Sequence, residues 1–271
     1  MKKYLFLPVL FCLCACTGNK TNNSPALAES ENIELQESVV NHLDSLADIL
    51  CDSTQLASIH SIFDANAMKL TDEQKMVKPD YLLENKDFES LVTLSEKYRA
   101  HAMAMVDSRV VKLYDLDSSS DYVAFVDRLQ ADIADKAFEE MKAKGHEDFF
   151  KPETYVQLYN TMKDAGRLQY FYESTTAMVV ETLYILTKNN KAIVSQLTDE
   201  QTQALVRHLS VVTEATVLLA QSNPTINKSA KLLSNLSSIN ASTTSELIDQ
   251  LATVQNEIGT LRILMLKDRE D

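Results

Sequence analysis

Apolar side chains recur every three or four residues along most of the chain, and strict alternation of apolar and polar positions is nowhere sustained. The first spacing lines one face of a helix and the second is what a half-buried strand needs, so the pattern predicts helices and no strands. Val39, Leu43, Leu46, Ile49 and Leu50 predict a first helix over 31–51, and Ile59, Ile62, Phe63 and Met68 a short second one over 55–69. Leu91, Leu94, Tyr98, Ala102, Met105, Val106, Val110 and Leu113 predict a long helix over 88–114. Val126, Leu129, Ile133, Ala137 and Met141 predict the next, running to 144 and ended by Gly145. Pro152 suits the first position of a helix, where its missing N–H has no partner to lose, and the apolar pattern then continues to 187. At 1.5 Å per residue that helix would be about 50 Å long, which makes Gly166 the place for a kink or break.

Further on, Leu205, Leu209, Val212, Thr216 and Leu219 mark a helix that Asn223-Pro224 ends. The Ser- and Asn-rich stretch 222–245 keeps Ile226, Ala230, Leu233 and Leu236, which reads as a helix followed by a loop. Leu247, Leu251, Val254, Ile258, Leu261 and Met265 form a 4-3-4-3-4 seam typical of bundle packing. Thr71-Asp72-Glu73-Gln74 and Thr198-Asp199-Glu200-Gln201 have the form of capping boxes, in which Thr and Gln each satisfy a backbone N–H at a helix start. Each is preceded by Leu, but the sequences diverge at once downstream, so these repeats are read as a favoured helix start and not as duplication. The expected fold is all-α: an antiparallel, bundle-like body of seven to eight helices over 31–271.

The N-terminus follows a different pattern. Lys2 and Lys3 precede an apolar run, Tyr4 to Leu13, too short to span a bilayer, and the chain turns abruptly polar at Thr17. The segment Leu13-Cys14-Ala15-Cys16 resembles the bacterial lipobox, with Cys14 a slight departure from the Ala, Ser or Thr commoner at its position. The resemblance implies that residues 1–15 are a signal peptide removed before Cys16 and that Cys16 carries the lipid. Three acyl chains on one cysteine exceed what stable anchoring needs. Residues 16–30, from Cys16 through the polar run Thr17 to Pro25, read as a tether unable to bury a core. No Asp follows Cys16 and no acidic run follows it closely. By the sorting rules of bacterial lipoproteins, that implies an outer-membrane anchor facing the periplasm. The general look resembles all-helical lipoproteins of Bacteroidota, a context that carries no activity with it.

Composition narrows the partners. Without Lys2 and Lys3 the chain has 24 basic and 39 acidic residues, a net charge of −15, which repels nucleic acid and anionic headgroups. Between Lys20 and Lys69 stand eight carboxylates and no Lys or Arg, either a solvated helix face or a face for a cationic partner. Four glycines and five prolines are few for a chain with many turns, which again favours helices over sheets. Trp is absent, which disfavours a broad sugar-stacking platform. Cys12 and Cys14 lie in the leader and Cys16 is the lipid site, so Cys51 stands alone in the body, either as a small buried hydrophobe or as a thiol open to other chemistry.

Chemistry-bearing motifs are sparse. His42, His60, His101, His146 and His208 are far apart in sequence; no pair has zinc-helix spacing and none follows a Glu by three residues, so no metal is expected. Phosphate loops and nucleophile elbows need glycines that are not there, and no cofactor or catalytic residue is assigned. Glu181 interrupts a helix that is apolar almost all round, so it is either ion-paired, with Arg262 or Arg167, or an active-site acid. Glu214 projects on a polar face and is set aside. Tyr155, Tyr159, Tyr170 and Tyr172, with Phe171 and Tyr184, either pack the core or line a ligand groove beside Glu181. Asp52-Ser53-Thr54 is similar to a short O-glycosylation pattern of some Bacteroidota, with Ser53 the acceptor; Asp44-Ser45-Leu46 is a weaker match. Together these readings describe a lipid-anchored, non-catalytic envelope protein that presents a helical surface to a protein partner. The alternative is a binding lipoprotein that holds an apolar or peptide ligand between helices.

Overall fold

The computed structural model describes residues 35–77, 79–89, 91–116, 119–133, 151–188 and 193–267. The signal, Cys16, the tether, Gly145, His146 and Asn189-Asn190 lie outside the described residues. Among the described residues there are eleven α-helices and no strand, and nine of the helices have seven or more residues. They are α1 (Glu37–Leu50), α2 (Ser53–His60), α3 (Asp72–Met76), α4 (Asn85–Phe88), α5 (Leu94–Leu113), α6 (Ser119–Ile133), α7 (Pro152–Asp164), α8 (Leu168–Lys188), α9 (Asp199–Ala220), α10 (Asn227–Asn235) and α11 (Thr244–Leu266). All belong to one compact unit, Asn32–Asp271.

Capping chemistry decides where the apolar pattern is cut. The Asp52 carboxylate accepts the backbone N–H groups of Thr54 and Gln55 at 3.1 and 2.9 Å, so α2 starts at Ser53. Instead of running on to residue 69, α2 stops at His60, and Phe63 sits in the left-handed region at φ 64°. The long helix expected over 88–114 begins only at Leu94. Thr93 Oγ1 accepts the Glu96 N–H while the Glu96 carboxylate accepts the N–H groups of Thr93 and Val92, which starts α5 at Leu94 and leaves α4 as a separate turn. Apolar spacing alone runs straight through this box. Thr71 and Thr198 cap α3 and α9 as their sequences anticipate.

Gly166 divides the expected 36-residue helix into α7 and α8. Its φ of 67° lets the Arg167 N–H reach the Met162 carbonyl at 2.8 Å and its own N–H the Lys163 carbonyl at 3.0 Å, closing α7. The chain then folds back, so that Tyr155 and Tyr159 of α7 meet Thr175 and Phe171 of α8.

Helix α8 is the axis of the molecule. Every residue from Leu168 to Glu181 is buried, enclosed by α5, α7, α9 and α11. Such a helix buries its polar side chains with its apolar ones, and each uncompensated hydroxyl or amide costs roughly 1–3 kcal/mol. Two are compensated locally: Thr175 and Thr176 donate to the carbonyls of Phe171 and Tyr172 one turn back, at 2.9 and 2.7 Å. Helix α5 packs along α8 in the same direction. Tyr98 stacks on Tyr170 with ring centroids 4.8 Å apart, Arg99 pairs with Glu173, and Asp107 lies within electrostatic reach of Glu181. The α11 seam runs the other way, bringing Gly259 to Tyr184 and Arg262 to Glu181.

Candidate functional site

Two polar groupings lie on the buried axis. At one level of α8, Arg99 from α5 pairs with Glu173 at 2.7 Å, and its Nε donates to the Met265 carbonyl of α11 at 2.7 Å. Both side chains are almost wholly buried, and the contacts bind three helices together. Two turns further on, Glu181 is fully buried and bonded by Arg262 in a two-pronged pair, Nε to Oε2 at 2.7 Å and the second guanidinium nitrogen to Oε1 at 2.8 Å. Of the two arginines the sequence offered, Arg262 is the partner. That guanidinium also donates to the Tyr81 carbonyl at 3.1 Å and lies 4.1 Å from the centre of the Tyr184 ring.

Asp107 stands beside this pair, fully buried on α5. Its Oδ2 accepts the Leu83 N–H and the Tyr122 hydroxyl, each at 2.8 Å. Burial, and after it the negative charge of Glu181, push its carboxyl well above the usual carboxylate range, against the opposing effect of Arg262. The cluster therefore sets one guanidinium against the Glu181 carboxylate and holds Asp107 toward its neutral form. Through Tyr81 and Leu83 it also clamps the 79–84 segment onto α5, α6, α8 and α11. Neither of the two cavities described below is lined by Asp107, Glu181 or Arg262.

The tyrosines are dispersed. Tyr170 is fully buried against Tyr98, and Tyr172 donates its hydroxyl to the Leu43 carbonyl of α1. Tyr159 donates to Asp44, whose other oxygen takes Lys163 at 2.7 Å. Burial alone would raise the Asp44 carboxyl, but these two donors outweigh it and leave it below its ordinary value. Tyr155 shares a hydrogen bond with Thr175. Tyr155 lines a cavity that Tyr159, Tyr170, Tyr172 and Glu181 do not line.

That cavity lies between α2, α5, α7, α8 and α9. Ile59, Phe63, Val106, Met178, Val179 and Leu205 form its apolar wall, and His60, Arg109, Tyr155, Thr175, Thr182 and His208 also reach it. The centre of a water-sized molecule can move through about 30 Å³ of it, room for two waters and far below a drug-sized pocket. His208 is the distinctive group. Its Nδ1 lies 3.0 Å from the Ala204 carbonyl, and its Nε2 is buried with no hydrogen-bond partner. Burial lowers the imidazole to about 4, with Arg207 adding to this and the carbonyls of Ala204 and Leu50 opposing it, so the ring is neutral at ordinary pH. A second small cavity beside Arg99 and Glu173 has about 10 Å³ by the same measure, space for one water.

No family model, curated protein or solved structure matches this chain. The reading of the site rests on its geometry. Among the described residues no three His, Cys, Asp or Glu side chains converge on a point, and no helix is long and apolar enough to cross a membrane. Cys51 is half-buried, and burial, with Asp48 adding to it, pushes its thiol up to about 12. Ser53 is exposed as the first residue of α2, and Ser45 is exposed on α1, its hydroxyl on the Asn41 carbonyl at 3.2 Å. Glu214 is half-exposed, 2.9 Å from His42.

Asp107, Tyr122, Arg99, Glu173 and His208 were not singled out by sequence. Asp107 could have been found as Glu181 was, because Met103, Val110 and Val111 place it on an apolar helix face. His208 likewise has Leu205, Val211 and Val212 as helical neighbours, an apolar setting that metal-ligand spacing does not reveal.

Proposed function

We propose that this chain is a lipid-anchored cell-envelope protein whose helical body acts as a non-catalytic interaction or structural module. The Leu13-Cys14-Ala15-Cys16 segment and the polar tether support the anchor, and the acidic body agrees with a domain held off an anionic membrane. The observation that carries the module reading is the use made of Glu181. The carboxylate that the sequence offers as an acid is held in two hydrogen bonds by Arg262, inside a cluster that ties α5, α6, α8 and α11 together. The membrane partner is reached through lipid on Cys16, at the outer membrane and facing the periplasm.

The experiment is expression of the full chain in a lipoprotein-processing bacterium with labelled palmitate. The parent chain should be labelled and pellet with the membranes, and Cys16→Ala should be unlabelled and move to the soluble fraction. A Cys16→Ala chain that stays in the membrane pellet would remove the anchor from this reading. Native mass spectrometry of the detergent-extracted chain tests the module itself: a stoichiometric protein partner or self-association supports it, and a retained small molecule favours the second reading. That second reading, a binding lipoprotein with an apolar ligand between helices, is favoured by one observation, the cavity that ends on His208.

A further inference from the structure

We propose that residues 79–84 form a strap over the buried Asp107–Glu181–Arg262 cluster, closed while Asp107 carries a proton and loosened when Asp107 ionises. The strap has no regular secondary structure and lies between the short helices α3 and α4. Side chains of other helices hold it. The Leu83 N–H donates to Asp107 Oδ2 at 2.8 Å, the Tyr122 hydroxyl lies 3.3 Å from the Leu83 carbonyl, and Arg262 donates to the Tyr81 carbonyl at 3.1 Å. The Tyr81 side chain also hydrogen-bonds that of Tyr114. The flank before the strap is weakly held: α3 buries none of its residues, and Met76 and Val77 are 82% and 73% exposed. Segments with so few buried contacts open locally at far lower cost than the core. Opening the strap uncovers Leu83, which is almost fully buried when it is closed.

The geometry around Asp107 suits a neutral carboxyl. Its Oδ2 takes the Leu83 and Tyr122 donors, while Oδ1 is buried with no hydrogen-bond partner. An ionised carboxylate would leave that second oxygen charged and unserved inside the core, which is costly. The charged and titratable groups that act on it are Glu181 on α8, Arg262 on α11 and Tyr122 on α6. Arg262 directs Nε and Nη2 at Glu181 and at the Tyr81 carbonyl, and Glu181 sets a second carboxylate beside Asp107. Burial works against the Arg262 charge, but the hydrogen bonds to Glu181 outweigh it and the guanidinium stays charged; burial, and after it Asp107, push the Tyr122 phenol far up, so it stays protonated. Burial and Glu181 hold the Asp107 carboxyl above its ordinary 3.8 while the strap is closed, and water reaching it in the open arrangement returns it toward that value. The proton therefore favours the closed strap. This advantage is complete below the ordinary value and is lost, by up to about tenfold per pH unit, as pH rises through the closed-state value.

The test is hydrogen–deuterium exchange of the full chain in detergent, read by mass spectrometry from about pH 5 to about pH 9 and corrected at each pH for the intrinsic exchange rate. Protection of the 79–84 amides should fall by up to about tenfold per pH unit across part of that range, while peptides from α8 keep theirs. Asp107→Asn keeps an acceptor for Leu83 and Tyr122 but cannot ionise, so its strap protection should be flat with pH. Infrared spectra of the parent chain give a readout that needs no variant, should Asp107→Asn fold poorly. A band from a buried protonated carboxyl should be present at the low end and fade over the interval in which the strap loses protection. Strap protection that is flat with pH in the parent, or that falls equally in Asp107→Asn, would overturn the proposal. So would the absence of the protonated-carboxyl band, or a strap that loses protection only together with α8, which is unfolding of the whole body.

Discussion

The Glu181–Arg262 pair makes the most demanding prediction. Glu181 is fully buried and the Arg262 side chain is only 12% exposed, so removing either partner leaves the other charge in a poorly solvated place. Breaking such a pair from one side costs about 3–5 kcal/mol, whereas replacing both charges by apolar side chains is often close to neutral. Arg262→Met also strands Glu181 next to Asp107 and removes the donor to the Tyr81 carbonyl, which puts it at the upper end of that range. Glu181→Leu leaves the guanidinium over the Tyr184 ring and partly in reach of water, which puts it at the lower end. In the double variant no charge is stranded. What is lost is one backbone hydrogen bond and one cation–π contact, together about 1–2 kcal/mol. Urea denaturation at neutral pH, followed by far-UV circular dichroism, gives all four corners of the cycle. The double variant should be more stable than either single one. Single variants that each cost less than about 1 kcal/mol, or a double variant as costly as the two added together, would refute the view that this pair is energetically coupled and buried.

Two further predictions concern His208 and Gly166. The imidazole is lowered from its ordinary 6.5 to about 4, so its contribution is present above pH 6.5 and is lost as pH falls toward 4, about 3 kcal/mol in all. Urea midpoints measured across that window should fall for the parent chain and fall much less for His208→Leu; parallel curves would contradict a buried neutral ring. Gly166→Ala meets no neighbour within 4 Å, so its cost is the backbone strain of φ 67° alone, about 1 kcal/mol, and Gly166→Asn should cost less. Thermal denaturation of the two variants checks the order, and an Ala variant as stable as the parent would mean the α7–α8 turn does not need the left-handed conformation.

The sequence is informative wherever structure follows from local spacing. The all-helical class, the caps at Thr71 and Thr198, the break at Gly166 and the α11 seam can all be read from neighbours within four residues, because helix geometry and capping are local. The later start of α5, at Leu94 and not at Phe88, is also local: Thr93 and Glu96 form a capping box that continuous apolar spacing hides.

Partners are another matter. Glu181 could be recognised as a carboxylate in an apolar helix, yet Arg262 and Arg167 were equal candidates on sequence, and only the antiparallel course of α11 along α8 decides for Arg262. Asp107 and Glu181 are 74 residues apart and become electrostatic neighbours only because α5 and α8 run in the same direction. The tyrosines looked like one group because they are close in sequence. The reversal at Gly166 and the packing of α1 send their hydroxyls to Asp44, Leu43 and Thr175, at separate places. The lipobox, being a linear signal, needs no fold at all to be read. The bare nitrogen of His208 needs all of it, because a side chain lacks a partner only once every surrounding helix has taken its place.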